Sequence, residues 1–323
     1  MTKDRPRPST TVGDLLAEAV ERFEAAGLSY GHGTTHALDE AAWLTHHALE
    51  LPPGDIGPIL GMPLTASQAR AIRALVARRI RTRKPAAYLT HEAWLGPHRF
   101  YVDERVIVPR SYIFELLETG RQKTVDSRQK KSGASSSFGL LSTVDCLPAP
   151  SILDLCTGSG CLAILAALAY PAAKVDAADL SEDALAVAKR NVADYKLGRR
   201  VRLVKSDLFS ALAGRKYDLI VTNPPYVNAA SMRALPEEYR REPAMALASG
   251  KDGLDHARAI LRDAHAHLAP GGLLVMEIGH NRKALERAFP DTPFHWPSTS
   301  GGRKFVFTLR REELPFQRRS PGG

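Results

Sequence analysis

The strongest constraint on the fold is a rhythm that begins at Ser151. The apolar runs "SILDL", "KVDAADL", "VRLVKSD", "YDLIVTN", "GLLVMEIG" and "KFVFTL" alternate with stretches of helical spacing over residues 161–169, 182–195, 255–268 and 283–289. A parallel strand pair needs a crossover long enough to hold a helix, so this alternation predicts an α/β domain built on a mostly parallel, doubly wound sheet. Sheets of that kind bind ligands at the carboxyl ends of their strands. The polar residues just after these runs are therefore the first candidates for a site.

Upstream the pattern is helical. Leu15, Leu16, Ala19, Val20 and Phe23 recur at helical spacing before Gly27, a second periodic stretch covers residues 37–49, and a third follows Thr65 as N-cap through Ile72, Leu75, Val76 and Ile80. With 323 residues the chain has room for two cores. The expected domains are a helical one over residues 1–98, a β-hairpin linker over 99–118, a mobile polar loop over 119–150, the α/β domain over 151–312 and a basic tail over 313–323. The loop prediction rests on "RQKTVDSRQKKSGASSS", which has neither helical nor strand periodicity.

Three cysteines are too few for a disulfide framework, and Cys156 and Cys161 lack the paired spacing of a zinc site. No metal is expected; His32 and His36 sit in a glycine-rich turn with too few companions to ligate one. No stretch approaches the roughly 20 apolar residues of a membrane span or the apolar core of a signal peptide, which makes the cytoplasm the expected location. The formal net charge of +9 favours polyanionic surroundings such as nucleic acid or a ribosome.

Two motifs carry chemistry. In "DLCTGSG", Asp154, Cys156, Thr157, Gly158, Ser159 and Gly160 close the first strand and open a helix, with the glycines letting backbone approach a ligand. Asp179 ends the next strand, where a carboxylate can accept from ribose hydroxyls, and Asp207 ends the third. Read alone, Gly158-Ser159-Gly160 followed by Ala163 also satisfies a dinucleotide fingerprint, so a nicotinamide enzyme stays open on the loop. The second motif is "NPPY". Asn223, Pro224, Pro225 and Tyr226 follow an apolar strand, and two prolines can neither donate to a ladder nor continue a helix.

The order of the "DLCTGSG" loop, Asp179, Asp207 and a fourth-strand "NPPY" resembles class I S-adenosylmethionine-dependent methyltransferases, and the tetrad resembles the signature of those that methylate a planar conjugated amino group. The resemblance implies a Rossmann-like, seven-stranded, mostly parallel sheet with a small helical N-terminal domain. It also implies that Asp154, Cys156, Thr157, Gly158, Ser159, Gly160, Asp179, Leu180, Asp207, Leu208 and Asn223 serve the methyl donor. Asn223 and the Pro224 carbonyl would accept the two N–H bonds of the target, with Tyr226 stacked on its plane and Pro225 stiffening the turn. An amide nitrogen shares its lone pair with the carbonyl, so holding it in the reactive orientation carries much of the barrier reduction.

"EPAMALASGKDGLD" and "EIG" narrow the resemblance to bacterial protein-(glutamine-N5) methyltransferases. "YGHGTTHALDEA" and "VPRS" resemble the branch acting on ribosomal protein L-three more than the release-factor branch, and imply that Arg110 and Glu242 meet the substrate. Tyr112 stands where that branch usually has proline, and Arg241 where it usually has histidine. Alternatives are release factors as substrate, adenine-N6 methylation of nucleic acid, and a non-catalytic ribosome-assembly role. Arg70, Arg73, Arg78, Arg79, Arg81, Arg83 and Lys84 crowd one helix and its exit without an acid among them, which suits contact with ribosomal RNA.

Overall fold

A computed structural model describes residues 10–126, 144 and 146–315, and the chain divides into two units. The helical unit spans residues 1–93 together with Val102–Glu104 and Pro236–Arg241. It contains α1 (Val12–Ala25), α2 (Ala37–Ala48), α3 (Ala66–Thr82) and α4 (Ala86–Thr90). The starts of these helices follow from side chains that satisfy orphan amides: Thr11 pairs with Asp14 and Thr65 with Gln68 in reciprocal capping boxes, and His36 accepts from the Asp39 amide. The spacing of Leu15, Leu16, Ala19 and Phe23 puts one apolar stripe of α1 against Ala41, Leu44, Ile72 and Val76. Each large side chain so buried contributes about 1.5–3 kcal/mol.

The hairpin is formed by β1 (Ala93–Leu95) and β2 (His98–Phe100), earlier than the expected linker, with Gly96 at φ +58° in the turn. Residues 101–112 form no ladder because side chains take their amides: the Tyr101 N–H donates to Asn191 Oδ1 at 2.7 Å and that of Val108 to Glu242 Oε1 at 2.9 Å. α5 (Ile113–Asp126) then runs into the stretch expected to be a mobile loop from residue 119, because Ile113, Leu116 and Leu117 bury one face at helical spacing. The rest of that expected loop falls largely on residues 127–143, and the basic tail on 316–323, outside the described residues.

The α/β unit comprises β3 (Ser151–Leu155), α6 (Cys161–Ala169), β4 (Lys174–Asp179), α7 (Glu182–Asp194), β5 (Val201–Lys205), β6 (Tyr217–Thr222), α8 (Ala229–Ala234), α9 (Asp255–His267), β7 (Leu268–Glu277), α10 (Arg282–Ala288) and β8 (Val306–Arg310). The sheet order is β5-β4-β3-β6-β7-β8, parallel except for β8 against β7. Alternate residues along a strand face opposite sides. Ile152, Leu219 and Val221 thus join α5 and α6 in one core, while Leu153, Ile220 and Leu274 join α9 in the other. Burial on both faces explains the continuous apolar runs.

This sheet has six strands among the described residues where the resemblance implied seven. Beyond β8, His295 makes a single antiparallel bridge with Thr308. Pro293 and Pro297 flank it, and neither can donate to a ladder. The chain builds outward from β3 to β5 and then returns to the opposite side of β3 with β6. The strand order therefore reverses beside β3, which opens a crevice at the carboxyl ends of β3 and β6.

Candidate active site

The crevice holds a cleft of about 730 Å³, counting the part open to solvent, whose walls include Cys156, Gly158, Asp179, Leu180, Asp207, Leu208 and Asn223. Of the residues expected to serve a donor, these seven line it. Asp154, Thr157, Ser159 and Gly160 are not among its lining residues. Asp154 is fully buried, with Oδ2 accepting from Thr157 Oγ1 at 2.5 Å and from the Ala163 amide at 2.9 Å, which ties the loop to the start of α6. Burial pushes the Asp154 carboxyl up to about 7, against the pull of those two donors.

Asp179 ends β4, one residue beyond the last pairing with β3, Ala178 against Leu155, and still in register with Lys205 of β5. Its Oδ2 accepts from the Gly158 amide at 2.8 Å and its Oδ1 from Ser181 at 2.9 Å, while burial raises its pKa above the usual carboxylate range. Cys156 and Leu208 line the cleft with φ of +60° and +46°, conformations that favour glycine. The cleft therefore carries strained backbone on two sides.

Arg105, Val106, Ile107, Pro243, Met245, Ala246 and His256 also line the cleft, and sequence reasoning did not assign them to it. Pro243, Met245 and Ala246 belong to the block "EPAMALASG", in which Glu242 is the residue that the resemblance marks. His256 had no signal at all; its ring is fixed by Ser249, whose Oγ lies 2.9 Å from Nδ1.

A second cavity of about 240 Å³ is lined by Ile107, Arg110, Asn223, Pro224, Tyr226, Val227, Ala246 and Leu247. Asn223, Ile107 and Ala246 belong to the walls of both cavities. The Asn223 Nδ2 group donates to the Arg110 carbonyl at 3.2 Å, whereas its Oδ1 is buried with no hydrogen-bond partner. A buried acceptor left unpaired costs about 1–3 kcal/mol.

Tyr226 sits over Gly279, whose φ is +56° and where an added Cβ would lie 2.6 Å from Tyr226 Cε2. The Tyr226 carbonyl accepts from Asn281 Nδ2 at 2.6 Å. Burial, with the nearby Glu277 carboxyl, pushes its phenol well above the usual range, so the ring stays neutral.

The "VPRS" turn braces this arrangement. Arg110 donates from both terminal nitrogens to Glu242 at 2.6 Å each, and Glu242 also accepts the Val108 amide. Glu242 lines neither cavity, and its carboxylate orients Arg110. Arg110 borders the smaller cavity. Ser111 Oγ and the Tyr112 amide donate to Glu277 Oε2 at 2.7 and 3.0 Å, and burial raises Glu277 to about 7. A proline at position 112 would lack that N–H; here the tyrosine keeps it and stacks on Phe305 with centroids 4.9 Å apart. Arg241 pairs with Glu237 at 2.5 Å.

The basic face is smaller than its sequence suggested. Arg79 is wholly buried on Glu40 and Glu238, Arg73 pairs with Glu18, Arg83 with Glu238 and Lys84 with Glu104. The acids come from distant parts of the chain, which local charge counting could not show. Arg70, Arg78 and Arg81 are exposed along α3. No helix among the described residues is long and apolar enough to cross a membrane.

Residues 14–90 match the model of the PrmC N-terminal domain, and residues 130–250 that of the methyltransferase small domain. The chain is 51% identical to a ribosomal protein uL3 glutamine methyltransferase of Neisseria meningitidis serogroup B, over 94% of both chains. It is 48% identical to a protein of the same name from Burkholderia pseudomallei, over 96% of this chain and 97% of that one. A crystal structure of a ribosomal protein L11 methylase from Lactobacillus delbrueckii subsp. bulgaricus aligns with a TM-score of 0.40 at 20% identity, covering 68% of this chain and 97% of the other.

Proposed function

This chain belongs to the family of ribosomal protein uL3 glutamine methyltransferases, and from that premise we propose that it moves a methyl group from S-adenosylmethionine to the side-chain amide nitrogen of a glutamine in uL3. The larger cleft suits the donor: Asp179 and Asp207 offer carboxylates toward ribose and adenine donors, the open Gly158 backbone admits close approach, and the acidic lining favours a cation. When bound, the sulfonium supplies an electrophilic methyl group. The smaller cavity takes the glutamine side chain.

The observation that carries this reading is the buried, unpartnered Asn223 Oδ1 where the two cavities share a wall. It accepts one amide N–H, the Pro224 carbonyl accepts the other, and the Tyr226 ring lies against the amide plane. Fixed proline angles and the Arg110 carbonyl keep these groups still. As nitrogen gains positive charge its N–H bonds become better donors, so the same contacts strengthen in the transition state. The proton lost afterwards has become acidic and needs no prior base.

Incubation with labelled S-adenosylmethionine and hypomethylated uL3, beside purified release factors and RNA, tests the assignment. Mass spectrometry is expected to find one added methyl on a uL3 glutamine; exclusive labelling of a release factor or of adenine overturns it. Arg70, Arg78 and Arg81 support a further contact with ribosomal RNA during that encounter. Replacing all three with glutamate is expected to weaken methylation of assembling particles and flatten its salt dependence, sparing free uL3. An unchanged salt slope removes this contact from the proposal.

A further inference from the structure

Every residue that lines the larger cleft belongs to the α/β unit, and one of them, His256, is a group that the methyl-transfer step does not use. It stands in the first turn of α9, and its ring lines the cleft together with Asp207. Ser249 fixes that ring twice over. The His256 amide donates to Ser249 Oγ at 3.1 Å, and the same oxygen lies 2.9 Å from His256 Nδ1.

These two contacts decide where the imidazole proton is. Ser249 is only 1% exposed, so its hydroxyl proton needs an acceptor inside the protein. With Oγ already accepting the amide, that proton goes to Nδ1, which is therefore the bare ring nitrogen. The reverse arrangement would leave a buried hydroxyl without an acceptor, at a cost of about 1–3 kcal/mol. Burial holds the ring below its usual pKa, against the pull of the Asp255 and Asp207 carboxylates, so it is neutral at neutral pH. The single ring proton then sits on Nε2.

Among the described residues neither His256 Nε2 nor the Asp207 carboxylate has a hydrogen-bond partner. One cleft thus holds an unspent N–H donor and an unspent anionic acceptor, close enough for the Asp207 charge to act on the ring. Adenine presents the complement. Its exocyclic amine donates, and the ring nitrogens on either side of that amine, N1 and N7, accept.

We infer that His256 is a binding residue for the adenine of the methyl donor, its Nε2–H donating to N1 or N7 while the exocyclic amine donates to Asp207. Ser249 is the positioning residue that holds the tautomer. The inference rests on S-adenosylmethionine as the donor in the proposed function.

The test is calorimetry on the full chain with S-adenosylhomocysteine, the donor without its methyl group, and with analogues in which adenine N1 or N7 is replaced by C–H. The parent is expected to bind one of the two analogues about five- to tenfold more weakly. His256→Phe keeps a flat ring without the N–H; it should weaken S-adenosylhomocysteine by the same factor and lose its sensitivity to that nitrogen. His256→Gln can carry an N–H near the place of Nε2, so it should recover part of the affinity, and it keeps the test open if His256→Phe does not fold. Nitrogen NMR of the ring reads the tautomer directly, with Nε2 protonated in the parent and a mixture in Ser249→Ala. A parent indifferent to both replacements, equal sensitivity in His256→Phe, or a proton on Nδ1 in the parent overturns the inference. A parent that binds S-adenosylhomocysteine but labels no uL3 removes the acceptor from the proposed function and leaves the base comparison to decide this inference; a parent that does not bind it overturns both.

Discussion

Gly279→Ala probes the placement of Tyr226 without altering a group that is proposed to touch the substrate. The added methyl would lie 2.6 Å from Tyr226 Cε2, 2.8 Å from Cδ2 and 3.1 Å from Cζ. Carbon atoms prefer roughly 3.5–4.0 Å, so the ring has to retreat by about 1 Å. The smaller cavity that Tyr226 lines is open space for it to enter, and the same space is proposed to hold the glutamine amide. A misplacement of about 1 Å costs on the order of 100-fold in rate, equivalent to about 2.7 kcal/mol of transition-state stabilisation. A left-handed alanine adds roughly 1–2 kcal/mol of backbone strain, which lowers the melting temperature but leaves the chain folded. Neither Gly279 nor Tyr226 lines the donor cleft, so calorimetry should find affinity for S-adenosylmethionine within about twofold of the parent. Single-turnover methyl transfer to uL3 is the deciding assay. A folded variant that reacts within about threefold of the parent would refute the argument that ring position limits the reaction.

Asn223→Ala deletes the unpaired acceptor and should lower kcat by about 100- to 1,000-fold, a loss measured by methyl transfer at saturating donor. Asp179→Ala should weaken donor binding by roughly tenfold or more in calorimetry, with turnover largely recovered at saturating donor. Glu277 and Asp154 are raised by burial to about 7 from 4.5 and 3.8, so the folded chain keeps protons that the unfolded chain releases. Their contribution is fully present below the unfolded values, falls as pH rises toward about 7 and is flat above it. Glu277→Gln should therefore gain stability relative to the parent between pH 4.5 and 7, read as the difference in urea midpoint; parallel profiles would contradict the burial argument.

The helices and strands were legible because each is written in a local period. Thr65 and Gln68 mark the start of α3, Leu15 to Phe23 mark its neighbour's apolar stripe, and six apolar runs became six strands. The seventh strand, expected from family likeness and not from any run, is reduced to one bridge at His295. The hairpin was misplaced because the alternation of residues 100–108 looks like a strand, while Asn191 and Glu242 take amides there that a ladder would need. α5 is not foreseen at all: its first half falls in the expected linker, and its polar second half reads as loop.

The sequence by itself determined the chemistry: a glycine-opened loop after one strand, acids after the next two, and Asn223-Pro224-Pro225-Tyr226 after a fourth. Each of these is a local property of a strand's carboxyl end, and the parallel sheet brings every such end to one edge. The tertiary structure decided which side chains act and which brace. Arg79 looked like part of a basic face until Glu40 and Glu238 buried it, and only the fold brings Arg110 and the Val108 amide to the Glu242 carboxylate. Those partners lie 39 to 159 residues apart in the chain. Local periodicity and spacing carry no information about such pairings, which exist only once the chain has folded back on itself.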